Sequence, residues 1–248
     1  MRIGKIGNSA TSCIGTITAA IGLVAAAPPS SSSFAQVLAD PIRPAADISR
    51  DADRKPAQLL SFAGVHKGMD VVELAPGGGY FTRILTGAVG SSGHVFAIAA
   101  HPSPALQDLA QHRANLTIVA AAPGTIPVQR PVDLVWTTLN YHDFKNSKLS
   151  TGDAALAYDR EAFRVLKPGG AFLIVDHEAA PGAGATQTST LHRIEDSIVR
   201  KEVEEAGFKL DSESSLLRNS ADDHTVKVVD ASIRGKTDQF ILKFRKPR

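Results

Sequence analysis

Strand-like and helix-like segments alternate along nearly the whole chain beyond residue 53. Short apolar runs, typical of strands buried on both faces, are separated by segments with apolar residues at helical spacing. Strands that are joined by helices form a parallel sheet through right-handed crossovers. The chain is therefore predicted to be an α/β protein with a mostly parallel sheet and helices on both faces. The strand-like runs are Val71–Leu74, His94–Ile98, Leu116–Ala120, Val132–Thr137 and Ala171–Val175.

The segments between these runs carry helix signals. Asp53 is predicted to cap a helix that ends at Gly64, and Ser103 is predicted to begin another. Further helices are expected over about residues 153–166 and over Thr190–Ala206. In such sheets ligands bind beyond the carboxyl ends of the strands, so chemistry is expected in the residues that follow each strand.

A glycine-rich loop, Ala75-Pro76-Gly77-Gly78-Gly79-Tyr80, follows the first strand. Consecutive glycines let a ligand approach the backbone closely, and the free N–H groups of a helix start favour a negative group. Thr82 occupies the third glycine position of a dinucleotide-binding pattern, and no P-loop lysine follows. The loop therefore favours a carboxylate over a pyrophosphate, and Glu73 can accept hydrogen bonds from loop N–H groups or from the ammonium of a ligand. Alternatively, the glycines serve only tight packing of strand against helix.

Two His-Asp pairs follow later strands. Asn140-Tyr141-His142-Asp143 comes after the fourth strand, and Asp176-His177-Glu178 after the fifth. These strands are expected to flank the first, so both pairs should meet beside the glycine loop. A histidine beside a carboxylate is a competent general base, which makes His142, Asp143, Asp176 and His177 the candidate catalytic residues.

Two alternatives remain open for these pairs. Either pair can hydrogen-bond loop backbone, or the four side chains can bind zinc, iron or manganese. No fixed spacing of metal ligands is present, and the main interpretation assigns no metal.

Three sequence segments resemble the class I S-adenosylmethionine (SAM)-dependent methyltransferases. They are Val71–Gly79, Val132–Val135 and the Arg164–Gly170 stretch, Arg-Val-Leu-Lys-Pro-Gly-Gly, which enters the fifth strand. More narrowly, the chain resembles predicted methyltransferases with signal peptides, which share the Pro-Gly-Gly-Gly-Tyr loop, both His-Asp pairs and a Thr-Asp-Gln-Phe stretch. The resemblance covers roughly residue 46 to the C-terminus and implies a Rossmann-like methyltransferase fold with SAM as the cofactor.

The resemblance also implies which residues hold the cofactor. The methionine portion is expected beside the first strand and its loop, and the residues after the fourth strand are expected to line the same pocket. The family's usual acidic residues after the second and third strands, which bind the ribose and the adenine, are missing here. The expected cofactor-binding residues are Glu73, Ala75, Pro76, Gly77, Gly78, Gly79, Tyr80, Asn140 and Tyr141.

The N-terminal 35 residues read as a secretory signal peptide. Arg2 and Lys5 precede an uncharged apolar run, Ile14–Ala27, and cleavage is expected after Ala35. The run is too short for a stable membrane span, so the protein is expected to be exported, periplasmic or secreted. Residues 36–248 are expected to form one domain, in which residues 36–64 are an N-terminal helical lid.

Composition narrows the partners. The whole chain carries 27 basic and 25 acidic residues. Two of the basic residues lie in the leader, so the chain without the leader is formally neutral. Without clusters of basic residues, nucleic acid is not an expected partner. A small molecule is the expected substrate, and methyl transfer with His142 or His177 as the base is the expected reaction. Because SAM is made in the cytosol, a non-catalytic binding module and a metal-dependent enzyme on the same scaffold remain alternatives.

Overall fold

A computed structural model describes residues 1–4, 34–150 and 152–248. Nine helices and nine strands lie in these residues. The strands are β1 (Asp70–Leu74), β2 (His94–Ala99), β3 (Leu116–Ala120), β4 (Val132–Thr138), β5 (Lys148–Leu149), β6 (Gly152–Asp153), β7 (Leu166–His177), β8 (Lys209–Ser214) and β9 (Gln239–Arg245). The helices are α1 (Ala35–Leu38), α2 (Ala45–Ile48), α3 (Asp51–Arg54), α4 (Pro56–Ala63), α5 (Tyr80–Val89), α6 (Pro104–Gln111), α7 (Tyr141–Asn146), α8 (Ala154–Val165) and α9 (Asp196–Glu205).

Seven of the strands form one sheet in the order β3-β2-β1-β4-β7-β9-β8. Strands β1, β2, β3, β4 and β7 run parallel, while β9 pairs antiparallel with both β7 and β8. The order reverses between β1 and β4, and such a switch point opens a crevice at the carboxyl ends of the two strands. The predicted α/β class and mostly parallel sheet are confirmed.

Each face of the sheet carries its own apolar core. Alternate strand residues, such as Val71 and Trp136, pack with α4, α5 and α6 on one face. Their neighbours along the strands, such as Val72 and Val135, pack with α7, α8 and α9 on the other. Because successive strand residues point to opposite faces, strands buried on both sides read as continuous apolar runs, as the sequence does here.

The predicted last helix is too long at its N-terminal end. It was expected over Thr190–Ala206, whereas α9 begins at Asp196. Ile194 instead pairs with Glu178 as an isolated bridge, and its N–H donates to the carbonyl of His177. These bonds hold the chain extended at the edge of the site. The apolar residues before residue 196 therefore belong to a loop, although their spacing resembles that of a helix.

Other elements differ from the sequence prediction in smaller ways. Asp53 lies within α3, and α4 begins instead after Lys55, whose φ is +45°. Helix α7, with strands β8 and β9, was not predicted. Gly64 ends α4 and Ser103 caps α6, as expected.

The predicted signal peptide falls mostly on residues 5–33, which lie outside the described residues. Within the described part of the chain, no helix is both long and apolar enough to cross a membrane.

Candidate functional site

The glycine loop connects β1 to α5 at the switch point of the sheet. Ala75 takes a left-handed conformation with φ +50°, which costs a residue with a Cβ roughly 1–2 kcal/mol. Gly77 and Gly78 face open space, since a Cβ added to either would meet no atom within 4 Å. The Oγ of Ser103 donates to the carbonyl of Gly77 and so ties the loop to the start of α6. The loop therefore leaves its backbone free for a ligand.

A cavity of about 220 Å³ lies against this loop. Three parts of the chain enclose it: the N-terminal segment, the loop with the start of α5, and the residues after β4. Of the expected cofactor residues, all but Gly79 and Tyr141 line it. The lining residues are Asp47, Arg50, Arg54, Glu73, Ala75, Pro76, Gly77, Gly78, Tyr80, Phe81, Thr138, Leu139 and Asn140.

Glu73 supplies a buried carboxyl to the floor of the cavity. Its side chain is 3% exposed on β1 and accepts a hydrogen bond of 2.6 Å from the hydroxyl of Thr82. Burial raises the pKa of Glu73 to about 7, against the smaller opposing effects of the Thr82 hydrogen bond and the Arg83 charge. Near neutral pH this carboxyl therefore becomes a full anion only when a cation approaches it.

Arg54 supplies a cation to the lining of the same cavity. Its guanidinium lies over the ring of Tyr80 at 4.6 Å from the centroid. Burial, with the charge of Arg50, lowers the pKa of Arg54 to about 10. Its guanidinium donates to no carboxylate or carbonyl among the described residues, although a desolvated cation is costly without such a partner. An anionic group in the cavity would fill that place.

The N-terminal segment is fastened over the loop by ionic contacts. The hydroxyl of Tyr80 donates to Asp51 at 2.6 Å, and Arg43 pairs with the same carboxylate. Asp47 accepts from the guanidinium of Arg83, which also donates to the carbonyl of Gly78. The cavity is smaller than typical small-molecule pockets, and this segment supplies part of its lining.

Asp176 organises the polar residues after β4 and β7. It is fully buried, and its carboxylate accepts from the backbone N–H groups of His142 and His177. The Nδ1 of His142 lies 2.8 Å from its Oδ1. Burial opposes ionisation of Asp176, but the adjacent histidines and these hydrogen bonds hold its pKa below its ordinary value. The two predicted pairs thus meet around one carboxylate.

The two histidines of these pairs differ in their surroundings. Burial lowers the pKa of His177 to about 4 despite the charge of Asp176, and its Nδ1 lies 2.7 Å from the hydroxyl of Thr237. For His142 burial acts in the same direction, but Asp176 outweighs it and raises the pKa. The rings lie 5.8 Å apart between centroids. His177 is therefore neutral near pH 7, with Nε2 unbonded among the described residues.

Asp143 lies outside the Asp176 network and joins a third histidine. Its Oδ1 is 3.4 Å from Nε2 of His142 and 3.1 Å from Nδ1 of His192. The rings of His142 and His192 meet edge to face at 5.3 Å. His192 lies in the loop before α9, although the sequence predicts a helix over Thr190–Ala206.

Asn140 and Tyr141 separate in the structure. The amide of Asn140 donates to the carbonyls of Ala75 and Thr138, which holds it in the wall of the cavity. Tyr141 turns to the opposite side of the sheet, where its hydroxyl lies 2.8 Å from a carboxyl oxygen of Asp159 and 3.0 Å from one of Glu202. Tyr141 therefore joins α7 to α8 and α9 and does not line the cavity.

Sequence reasoning did not place Arg54, His192 or Thr237 at the site. Arg54 lies in the charged string before α4, which carries no family motif, and His192 was placed on a helix. Thr237 begins the Thr-Asp-Gln-Phe stretch, whose appearance in the resemblance was the one available signal. These residues meet the His-Asp pairs only because of the order of the strands in the sheet.

Comparison of the fold with solved structures finds similarity to methyltransferases. A SAM-dependent methyltransferase from Aquifex aeolicus matches with a TM-score of 0.59 at 19% identity, over 87% of this chain and 98% of that one. The 1,6-didemethyltoxoflavin-N1-methyltransferase of Burkholderia thailandensis, solved with S-adenosylhomocysteine, matches with a TM-score of 0.55 at 17% identity, over 88% and 87%. The chain has the Rossmann-like fold of class I methyltransferases.

The same fold also serves another reaction. The [4+2]-cyclase SpnF matches with a TM-score of 0.59 at 16% identity, over 79% of this chain and 82% of that one. No protein-family model and no curated protein matches the sequence. The reaction must therefore be argued from the residues of the site.

Proposed function

We propose that this protein binds SAM and transfers its methyl group to a small molecule. The observation that carries the proposal is the pair of complementary charges beside the open glycine loop. Glu73 offers a carboxyl that a cation would ionise, and Arg54 offers a cation that forms no ion pair among the described residues. The methionine portion of SAM carries one ammonium and one carboxylate, which match these two groups.

The remaining residues of the cavity support the same ligand. The open faces of Gly77 and Gly78 allow close approach of a ligand to the backbone. Asn140 holds the loop against the end of β4. Ala99 and His101 stand where methyltransferases usually carry a ribose-binding acid, so the methionine side would supply most of the polar recognition. When bound, SAM supplies a methyl group on a positively charged sulfur.

Transfer to an oxygen or nitrogen acceptor also needs removal of a proton. His142 and His177 were the two candidates. His142 is engaged at Nδ1 by Asp176 and faces Asp143 at Nε2, whereas His177 has Nε2 unbonded among the described residues. We therefore assign removal of the proton to His177, which is a weak base because burial holds its pKa at about 4, but whose Nε2 is unprotonated near pH 7 and free to accept. Thr237 would fix the orientation of its ring, and Asp176 would stabilise the imidazolium.

The ligand can be tested by isothermal titration calorimetry of the purified protein with SAM and S-adenosylhomocysteine. Binding is expected, and Arg54→Ala should weaken it by about 10-fold or more, because it removes a partner of a charged group. The exposed Arg160 on α8 provides a matched control, and Arg160→Ala should bind like the wild type. Absence of heat at millimolar SAM would refute the proposal.

The base can be tested once an acceptor has been found by screening. His177→Ala should lower kcat by about 10²- to 10⁴-fold and leave the Kd for SAM unchanged. His142→Ala serves as the comparison. Loss of turnover in His142→Ala alone would move the role of base to His142.

A second candidate function is a different reaction, or binding alone, on this fold. The small cavity and the two missing acids favour it, as does the existence of a cyclase with the same architecture. SAM binding without methyl transfer to any acceptor in a broad screen would support this alternative. In both cases we propose a small-molecule substrate, because the chain without its leader is formally neutral and has no cluster of basic residues for nucleic acid.

A further inference from the structure

We propose that His142, Asp143 and His192 form a binding site for a divalent first-row transition ion such as Zn²⁺. Each side chain offers one ligand atom, and the three atoms all lie within 4.8 Å of one another. They come from α7 and from the loop before α9, which are brought together beside the carboxyl end of β7. The proposal does not depend on SAM binding or on methyl transfer.

The separations match those around a metal. Bonds of about 2.0–2.2 Å in a tetrahedral site place neighbouring ligand atoms roughly 3.3–3.5 Å apart. Asp143 Oδ1 lies 3.4 Å from His142 Nε2 and 3.1 Å from His192 Nδ1. The ligand atoms of His142 and His192 lie within 4.8 Å of each other, so an ion among the three atoms would require these two to approach by at most about 1.5 Å.

His142 is already oriented as a metal ligand. Its Nδ1 lies 2.8 Å from buried Asp176, which leaves Nε2 directed at Asp143 and His192. A carboxylate on the far nitrogen of a ligating histidine fixes the tautomer and raises the basicity of the ligand. Asp176 is fully committed to His142 and to the backbone of His177, so it acts as a positioning residue.

The mixed nitrogen and oxygen set determines the kind of ion. Two imidazoles with one carboxylate suit zinc, iron and similar ions, whereas magnesium and calcium prefer oxygen alone. Asp143 and His192 are partly exposed, at 50% and 29% of their side chains, while His142 is buried. Three protein ligands with an open side leave a position for water or for a donor atom of a bound molecule.

The site lies close to the proposed SAM cavity. His142 follows Asn140 by two residues, and Asn140 lines that cavity. The ring of His177 is 5.8 Å from that of His142. An ion here would hold an oxygen or nitrogen atom of a small molecule beside the residues assigned to methyl transfer.

The test is titration of Zn²⁺ alone into the full chain after removal of metal with a chelator, followed by calorimetry. One ion per chain is expected. His192→Asn and Asp143→Asn change partly exposed side chains and should each weaken binding more than about 100-fold, and Asp176→Asn about 10- to 100-fold. His112→Asn, at the exposed end of α6, is the matched control and should bind like the wild type.

Cobalt gives a second readout that does not depend on affinity. Co²⁺ should produce visible absorption bands typical of nitrogen and oxygen ligands, and His192→Asn should abolish them while leaving the circular dichroism unchanged. Any of three results would overturn the proposal: no stoichiometric Zn²⁺ binding at 100 µM, wild-type affinity in His192→Asn, or an equal loss in His112→Asn. Because no SAM is present, these outcomes are independent of the proposed function.

Discussion

The buried carboxyl of Glu73 lowers the stability of the folded chain near neutral pH and is also proposed to bind the ligand. The pKa of its carboxyl is about 7 in the folded chain, against 4.5 for the unmodified group. Between these two pH values the unfolded chain releases the proton and the folded chain keeps it. The free energy of unfolding therefore falls as pH rises from about 4.5 to 7, by roughly 3 kcal/mol in all.

Replacement of Glu73 should remove this cost. In Glu73→Gln, the free energy of unfolding measured with urea should no longer decrease between pH 5 and 7. At pH 8 it should exceed that of the wild type. The exposed Glu204 on α9 provides the control, and Glu204→Gln should follow the wild-type profile. Equal pH profiles for Glu73→Gln and wild type would contradict the assignment of a raised pKa to this carboxyl.

A bound ammonium would reverse the preference of Glu73 for the neutral form. Affinity for SAM should accordingly rise between pH 6 and 8 in the wild type and stay level in Glu73→Gln, as measured by calorimetry. A level profile in the wild type would mean that Glu73 does not face the cofactor's charge.

Single residues also show where sequence reasoning stops. Glu73 and the glycine loop could be predicted because they are contiguous in the sequence and follow a strand. Arg54 and His192 could not, since each reaches the site from a loop or a short helix that no periodicity positions. Tyr141 was assigned to the pocket with its neighbour Asn140, but α7 begins at that residue and turns the ring away.

At the scale of elements, one buried ion pair holds the C-terminal loop behind the site. Arg193 and Asp222 form two parallel hydrogen bonds of 2.8 and 2.9 Å, and both side chains are almost fully buried. Arg193 also donates to the carbonyls of Glu178 and Val226. The pair thereby joins the end of β7, the loop before α9 and the segment between β8 and β9.

Breaking this pair should be strongly destabilising. Asp222→Ala leaves a buried guanidinium without its carboxylate, so the free energy of unfolding should fall by about 3–5 kcal/mol. Asp223→Ala changes the exposed neighbour and should alter it by less than about 0.5 kcal/mol. Chemical denaturation of the three proteins measures the difference. A loss of less than 1 kcal/mol in Asp222→Ala would show that the loop is held by other contacts.

The elements that escaped prediction share a physical cause. Strand β8 alternates half-buried and exposed residues, with only Leu210 as a large apolar side chain, so it lacks the continuous apolar run of the parallel strands. The chain before α9 has helical apolar spacing, but bonds from Ile194 to the end of β7 keep it extended. In both places tertiary pairing overrides the local pattern.

At the scale of the whole molecule, sheet order creates the site. Neither the glycine loop nor the His-Asp pairs form a pocket alone; β1, β4 and β7 must be neighbours for their carboxyl ends to meet. Alternating apolar strands and helices predict that arrangement, and the crossover rule limits its handedness. The shape of the cavity depends in addition on the N-terminal segment, whose ionic contacts no sequence pattern indicates.

The proposed export signal makes a prediction about the stability of the whole molecule. Phe34 is only 4% exposed and packs in the core with α4 and α5, yet the expected cleavage after Ala35 would remove it. A protein that begins at Ser33 should therefore have a higher free energy of unfolding than one that begins at Gln36. The expected difference is about 2 kcal/mol, the contribution of burying one aromatic side chain.

Urea denaturation of these two proteins measures that difference, and Phe34→Ala in the longer one should reproduce most of it. Intact mass of the protein recovered after export should correspond to a chain that begins at Gln36. If the exported chain instead retains Phe34, the cleavage site lies earlier than Ala35, and burial of this ring in the folded domain supplies the physical reason to keep it.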